Sequence, residues 1–95
     1  MVFDLSKVTG IGDFTKKEEE ERILYYKAEK VFLVENKNTL EIRTDDKLGK
    51  LLREKYESVM ESRYFGKGGI EIVLADQLNQ QELEDLTRLS YNMTQ

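Results

Sequence analysis

The chain has 95 residues, 39% of them hydrophobic and 36% charged, with a net charge of −4 and neither cysteine nor histidine. That length makes one domain, residues 1–95, with a thin core, since so small a fold buries only about 60–65% of the surface its unfolded chain exposes. Disulfides, Cys/His zinc sites, cysteine nucleophiles and an imidazole base are excluded, and the absence of long apolar runs excludes a spanning helix and a secretory signal.

Taken in chain order, a short N-terminal segment, Phe3 to Val8, is closed by Thr9-Gly10-Ile11-Gly12-Asp13. Lys16-Lys17-Glu18-Glu19-Glu20-Glu21 is a charge run that reads as a solvated loop or a helix start, because consecutive carboxylates do not converge on one cation. Arg22 to Lys27 combines β-branched and aromatic residues and predicts a strand. Ala28-Glu29-Lys30 turns the chain into the apolar run Val31–Val34. Glu35-Asn36-Lys37-Asn38 is a polar turn, and Thr39 to Arg43 alternates with Leu40 and Ile42 on one face. Three strands joined by short turns make an antiparallel meander.

The period then changes to that of a helix. Thr44 or Asp45 caps it, Leu48, Leu51, Leu52 and Tyr56 form its buried stripe, and Lys47, Lys50, Arg53, Glu54 and Lys55 face water. Gly49 inside it costs about 1 kcal/mol against alanine, which a close crossing over a sheet would explain. Val59-Met60 and Ile70 to Leu74 supply two further strands around the turn Phe65-Gly66-Lys67-Gly68-Gly69. A last helix opens with Asn79 at the N-cap and Glu82 three residues on, with Leu78 and Leu83 as a hydrophobic staple. Leu83, Leu86, Leu89, Ser90 and Met93 are its expected inner face. The fold class is therefore α+β: an antiparallel sheet of about five strands with two main helices on one face.

Charge is unevenly spread. Residues 43–69 carry seven basic and five acidic side chains, whereas 70–95 carry one basic and five acidic. The basic glycine turn is the best site candidate, since glycines admit an anion to backbone N–H groups and Arg63 and Lys67 can neutralise it. A nucleic-acid or anion-binding face would join Arg63, Tyr64, Lys67 and Gly68 of that turn to Lys47, Lys50, Arg53 and Lys55 of the preceding helix, with Tyr64 or Phe65 stacking on a base. The bland counterpart is a hairpin turn beside a solvated helix face, threaded with Asp45, Asp46, Glu54 and Glu57. No phosphate-loop or dinucleotide spacing occurs, no serine elbow, and no carboxylate pair at a telling spacing, so neither catalytic nor metal-ligating residues are assigned.

Roughly residues 25–95 resemble the MmcQ/YjbR family. Asp45-Asp46-Lys47-Leu48 with Leu51-Leu52-Arg53 is similar to that family's Asp-Pro-Glu-Leu…Leu-Leu-Arg helix. Arg63-Tyr64-Phe65-Gly66-Lys67-Gly68 resembles its basic turn, and Leu83-Glu84-Asp85-Leu86 with Ser90-Tyr91-Asn92 resembles its closing helix. Two positions depart from the pattern: the opening helix is shortened to Phe3–Val8, and Gly69 stands where the family usually has a tryptophan. The resemblance implies a frataxin-like or double-wing-like architecture, and a DNA-binding label that rests on fold analogy. The expected function is a cytoplasmic, non-catalytic binding module without a cofactor or a membrane partner. Its partner is DNA, through the basic helix and turn, or alternatively another protein or a second copy of itself.

Overall fold

The computed structural model describes Leu5 and residues 8–74 and 79–94. The expected N-terminal segment, apart from Leu5 and Val8, and the staple residue Leu78 lie outside the described residues. The strands are β1 (Thr15–Glu18), β2 (Arg22–Lys27), β3 (Lys30–Asn36), β4 (Thr39–Arg43), β5 (Val59–Ser62) and β6 (Gly66–Val73), with helices α1 (Asp46–Lys55) and α2 (Gln80–Met93). All strands join one antiparallel sheet in the order β1-β2-β3-β4-β6-β5. The architecture is the expected α+β one, with six strands instead of about five.

The additional strand is β1, which lies within what reads from the sequence as a charged loop or helix start. All four of its residues are exposed. It forms an edge of the sheet, where lysines block pairing with other chains, and it buries nothing that hydropathy could register. At the other edge, β6 returns between β4 and β5 after the chain has crossed through α1.

Cross-strand pairing sorts the side chains onto two faces. Tyr25, Leu33, Ile42 and Ile70 lie in register on one face, as do Leu40, Ile72 and Val59. That face carries the main core, with Leu83 and Tyr91 of α2 against it and Leu52 and Tyr56 packed at its margin. Between Tyr25 and Tyr26 the register slips by one. Phe32 and Leu33 therefore both oppose Tyr25, and a bulge of this kind turns both side chains to the same side. This explains why all of Val31–Val34 is buried: Phe32 and Leu33 enter the main core, while Val31 and Val34 join Leu24 in a small cluster on the other face.

α2 is fastened at the bulge. Ser90 Oγ donates to the Phe32 carbonyl at 2.7 Å, the Tyr91 ring meets Phe32 edge-on, and Tyr91 Oη donates to the Asp13 carbonyl at 2.8 Å. The Ser-Tyr pair thus locks the helix to both β3 and the segment before β1. At the other end of α2, Asn79 and Glu82 form the expected reciprocal cap. Its inner face differs from hydropathy. Leu83, Thr87, Ser90 and Tyr91 are buried, whereas Leu89 is 41% exposed. Thr87 is tolerated inside because its hydroxyl donates to the Leu83 carbonyl at 2.7 Å.

α1 is capped by Asp45, whose Oδ1 accepts from the Leu48 N–H at 2.6 Å. Its stripe also differs: Leu51 is 56% exposed and Gly49 is the buried residue. Gly49 and Leu51 flank the Leu48–Leu52 line symmetrically on a helical wheel, so spacing alone does not choose between them. A Cβ on Gly49 would lie 3.0 Å from Thr44 Oγ1 and 3.7 Å from Ile70 Cγ2. Glycine therefore lets α1 roll and close on β6, and that roll leaves Leu51 in water. It also draws Arg53, expected to face water, partly inward with its Nη1 buried. Among the described residues no helix is long and apolar enough to cross a membrane.

Candidate functional site

With both helices on one face, the other face of the sheet carries no helix among the described residues. Its centre is polar. Glu41 of β4 and Glu71 of β6 stand directly opposite each other and are each only 2% exposed. Like charges in that relation repel, and burying them is costly unless donors surround them.

The donors come from the β5–β6 turn and the β3–β4 turn. Arg63 grips Glu71 with two bonds, Nε to Oε1 at 2.9 Å and Nη2 to Oε2 at 2.7 Å, and Thr39 Oγ1 adds a third at 2.9 Å. Among the described residues Glu41 receives neutral donors alone: Ser62 Oγ and the Tyr64 N–H on Oε1, both at 2.8 Å, and Asn36 Nδ2 on Oε2 at 2.9 Å. Ser62 Oγ also accepts from the N–H groups of Tyr64 and Phe65. The turn is therefore folded down onto the sheet. Phe65 packs against the Leu24–Val31–Val34 cluster. Arg43 sits 5.0 Å above its ring and Arg22 5.5 Å from that of Tyr64.

The Arg63 hydrogen bonds hold the Glu71 carboxyl below the ordinary glutamate value of 4.5, against the opposing effect of burial. The same pairing raises the pKa of Arg63. A carboxyl depressed on folding contributes stability above its unfolded pKa and loses that contribution as pH falls through the folded value. Melting temperatures measured below pH 4.5 are therefore expected to fall more steeply for the wild type than for Glu71→Gln. Parallel slopes would show that the pair does not govern acid stability.

Beside this network a groove of about 1310 Å³ opens at the end of the sheet. The β1–β2 connection from Glu18 to Ile23 forms one wall and the segment from Glu35 to Thr39 another; Glu41, Arg63 and Tyr64 complete it. Six carboxylates and three cationic side chains, Arg22, Lys37 and Arg63, line it.

The residues singled out in the sequence fall into separate places. Arg63 and Tyr64 are on the helix-free face, where Arg63 is engaged by Glu71 although its side chain is 75% exposed. Taking Arg63 away to a phosphate would leave Glu71 buried without its cation, an expensive exchange. Lys47, Lys50, Arg53 and Lys55 lie on α1, which covers the opposite face. Gly68 is beside the start of α1, its carbonyl accepting from the Thr44 N–H at 2.9 Å, and Lys67 is exposed next to it. The turn and the helix are thus neighbours at one end of the molecule, but Arg63 and Tyr64 point to one side of the sheet and α1 covers the other.

Glu41 and Glu71, the centre of the network, are the residues that sequence reasoning missed. The available signal was their phase. Each is the polar member of an alternating strand, Leu40-Glu41-Ile42 and Ile70-Glu71-Ile72, so each faces away from the core. Only the pairing register puts them opposite each other. No family model matches the chain, and neither a curated protein nor a solved structure matches it.

Proposed function

We propose that the chain is a non-catalytic binding module of the MmcQ/YjbR-like type, which holds a segment of another protein in the groove at the end of its sheet. The observation that carries this reading is the groove itself, which is built from three separate turns, two of them tied to Glu41 and Glu71 by side-chain hydrogen bonds and the third held by the Arg22–Glu19 pair. A concave surface on a rigid sheet suits recognition. A chain free of cysteine needs no oxidising compartment, which fits a cytoplasmic location.

Panning a library of random twelve-residue peptides on the wild-type protein tests the reading. Asn38, exposed at the groove rim, is replaced by tryptophan to fill the groove. Enriched peptides are expected to lose at least about tenfold in affinity on Asn38→Trp, a loss of roughly 1.4 kcal/mol. A panel of binders indifferent to that substitution would remove the groove from the proposal.

Weak DNA binding is the second reading, favoured by one observation. Lys47, Lys50 and Lys67 are exposed at the same end of the molecule and join no ion pair among the described residues. It calls for duplex binding at low salt that falls away in the triple alanine variant of those lysines. An unshifted duplex at low salt would end it.

A further inference from the structure

We infer that the groove selects a cationic occupant, an extended protein segment carrying two or more lysines or arginines; the inference rests on the groove being the binding surface. Three observations together specify that chemistry.

The groove is a cleft at the end of the sheet, where field lines from its walls concentrate and a charge imbalance acts at its strongest. Its cations are largely engaged from within. Arg63 is held by Glu71, and Arg22 Nε lies 2.6 Å from Glu19 Oε1, which leaves Lys37 as the cation of the lining without an ion pair among the described residues. Its carboxylates are not matched in the same way. Glu20 and Glu21 are exposed and join no ion pair among the described residues. Glu35 accepts from the Tyr25 hydroxyl, and Glu41 at the floor accepts from neutral groups.

An anionic ligand would meet that surplus of negative charge and find both arginines already bound. A lysine or arginine side chain would relieve it, with its apolar stem free to lie against the half-exposed Tyr64 ring. The groove thus repels the phosphate backbone that the α1 end would attract, and the two surfaces call for different partners.

The test is an amide-resolved NMR titration of the full chain at 50 mM salt with three synthetic ten-residue peptides of matched length: Lys/Arg-rich, Glu-rich, and Gly/Ser-only. The Lys/Arg-rich peptide alone is expected to shift the amides of Glu20, Arg22, Lys37, Asn38 and Tyr64. Its affinity should drop about tenfold between 50 and 200 mM salt, because the contacts are exposed to screening. The double variant Glu20→Lys/Glu21→Lys should weaken it about tenfold or more, whereas Glu54→Lys/Glu57→Lys, an equal charge change on exposed residues at and just after the end of α1, should not. Equal weakening by both would mean that net charge alone attracts the peptide, and the inference falls. Shifts of the same amides by the Glu-rich or Gly/Ser peptide would overturn the selectivity but leave the groove as a binding surface. If none of the three peptides moves those amides, the inference and the groove reading fall together. Concentration-dependent shifts of those amides without peptide would instead assign the groove to a second copy of this chain.

Discussion

Gly69→Ala is expected to destabilise the domain by about 1–3 kcal/mol, a fall of at least 4 °C in melting temperature. Gly69 pairs with Arg43 and faces the helix-free side. A Cβ there would come within 2.6 Å of Phe65 Cβ, 2.8 Å of Phe65 Cδ2 and 2.8 Å of the Ile42 carbonyl oxygen. The Phe65 ring occupies the space a side chain at Gly69 would need, so an aromatic cover over a strand glycine replaces the missing packing. Phe65→Ala/Gly69→Ala should be no more stable than Gly69→Ala. The Phe65 ring would be gone from the Leu24–Val31–Val34 cluster, while the Phe65 Cβ and the Ile42 carbonyl, the two nearest contacts, would both remain. A tryptophan at 69, the residue the family resemblance suggests there, should cost more than alanine. Chemical denaturation of the three variants beside the wild type decides the matter, and wild-type stability in Gly69→Ala would show that the strand yields.

The same glycine marks where sequence reasoning succeeds and where it stops. Leu40 and Ile42, Ile70 and Ile72, and the Asn79–Glu82 cap are all local signals, a period of two or a spacing of three, and the structure places each as the spacing implies. What the local signal lacks is register and roll. Whether α1 buries Gly49 or Leu51 depends on how closely β6 approaches, and Thr87 is buried in place of Leu89 because backbone carbonyls can satisfy its hydroxyl. β1 was illegible because an edge strand of exposed charges has no apolar phase. The site suffers most from this limit. Arg63 reads as a free cation beside glycines until the β5–β6 register brings Glu71 beneath it, and a basic turn becomes an internal clamp. The charges of Glu18–Glu21 read as solvent decoration until the fold sets them across from Glu35 and Glu41 around one groove.

Glu41→Ala should destabilise the domain by about 2–3 kcal/mol and release the β5–β6 turn. The substitution takes the acceptor from three donors: Ser62 Oγ is left without one, whereas the Tyr64 N–H keeps Ser62 Oγ and Asn36 Nδ2 keeps Thr39 Oγ1, and a buried donor left unpaired costs about 1–3 kcal/mol. Removing a negative charge from beside Glu71 offsets part of this, so the net effect falls short of the sum. Glu41→Gln should cost less, because one oxygen remains to accept from the turn while the new amide opposes the Asn36 amide. The turn rests on two supports, the acceptor at Glu41 and the grip of Arg63 on Glu71; of these two, Glu41 is the one that accepts from the Tyr64 N–H, which it shares with Ser62 Oγ. Amide exchange separates the two supports: in Glu41→Ala the Tyr64 and Phe65 amides should exchange at least about tenfold faster, with Val34 and Leu24 gaining solvent beneath them. Unchanged protection at Tyr64 and Phe65 would mean that Phe65 over Gly69 and the Arg63 clamp suffice. The buried carboxylate would then be a groove floor kept for its charge and not for the fold.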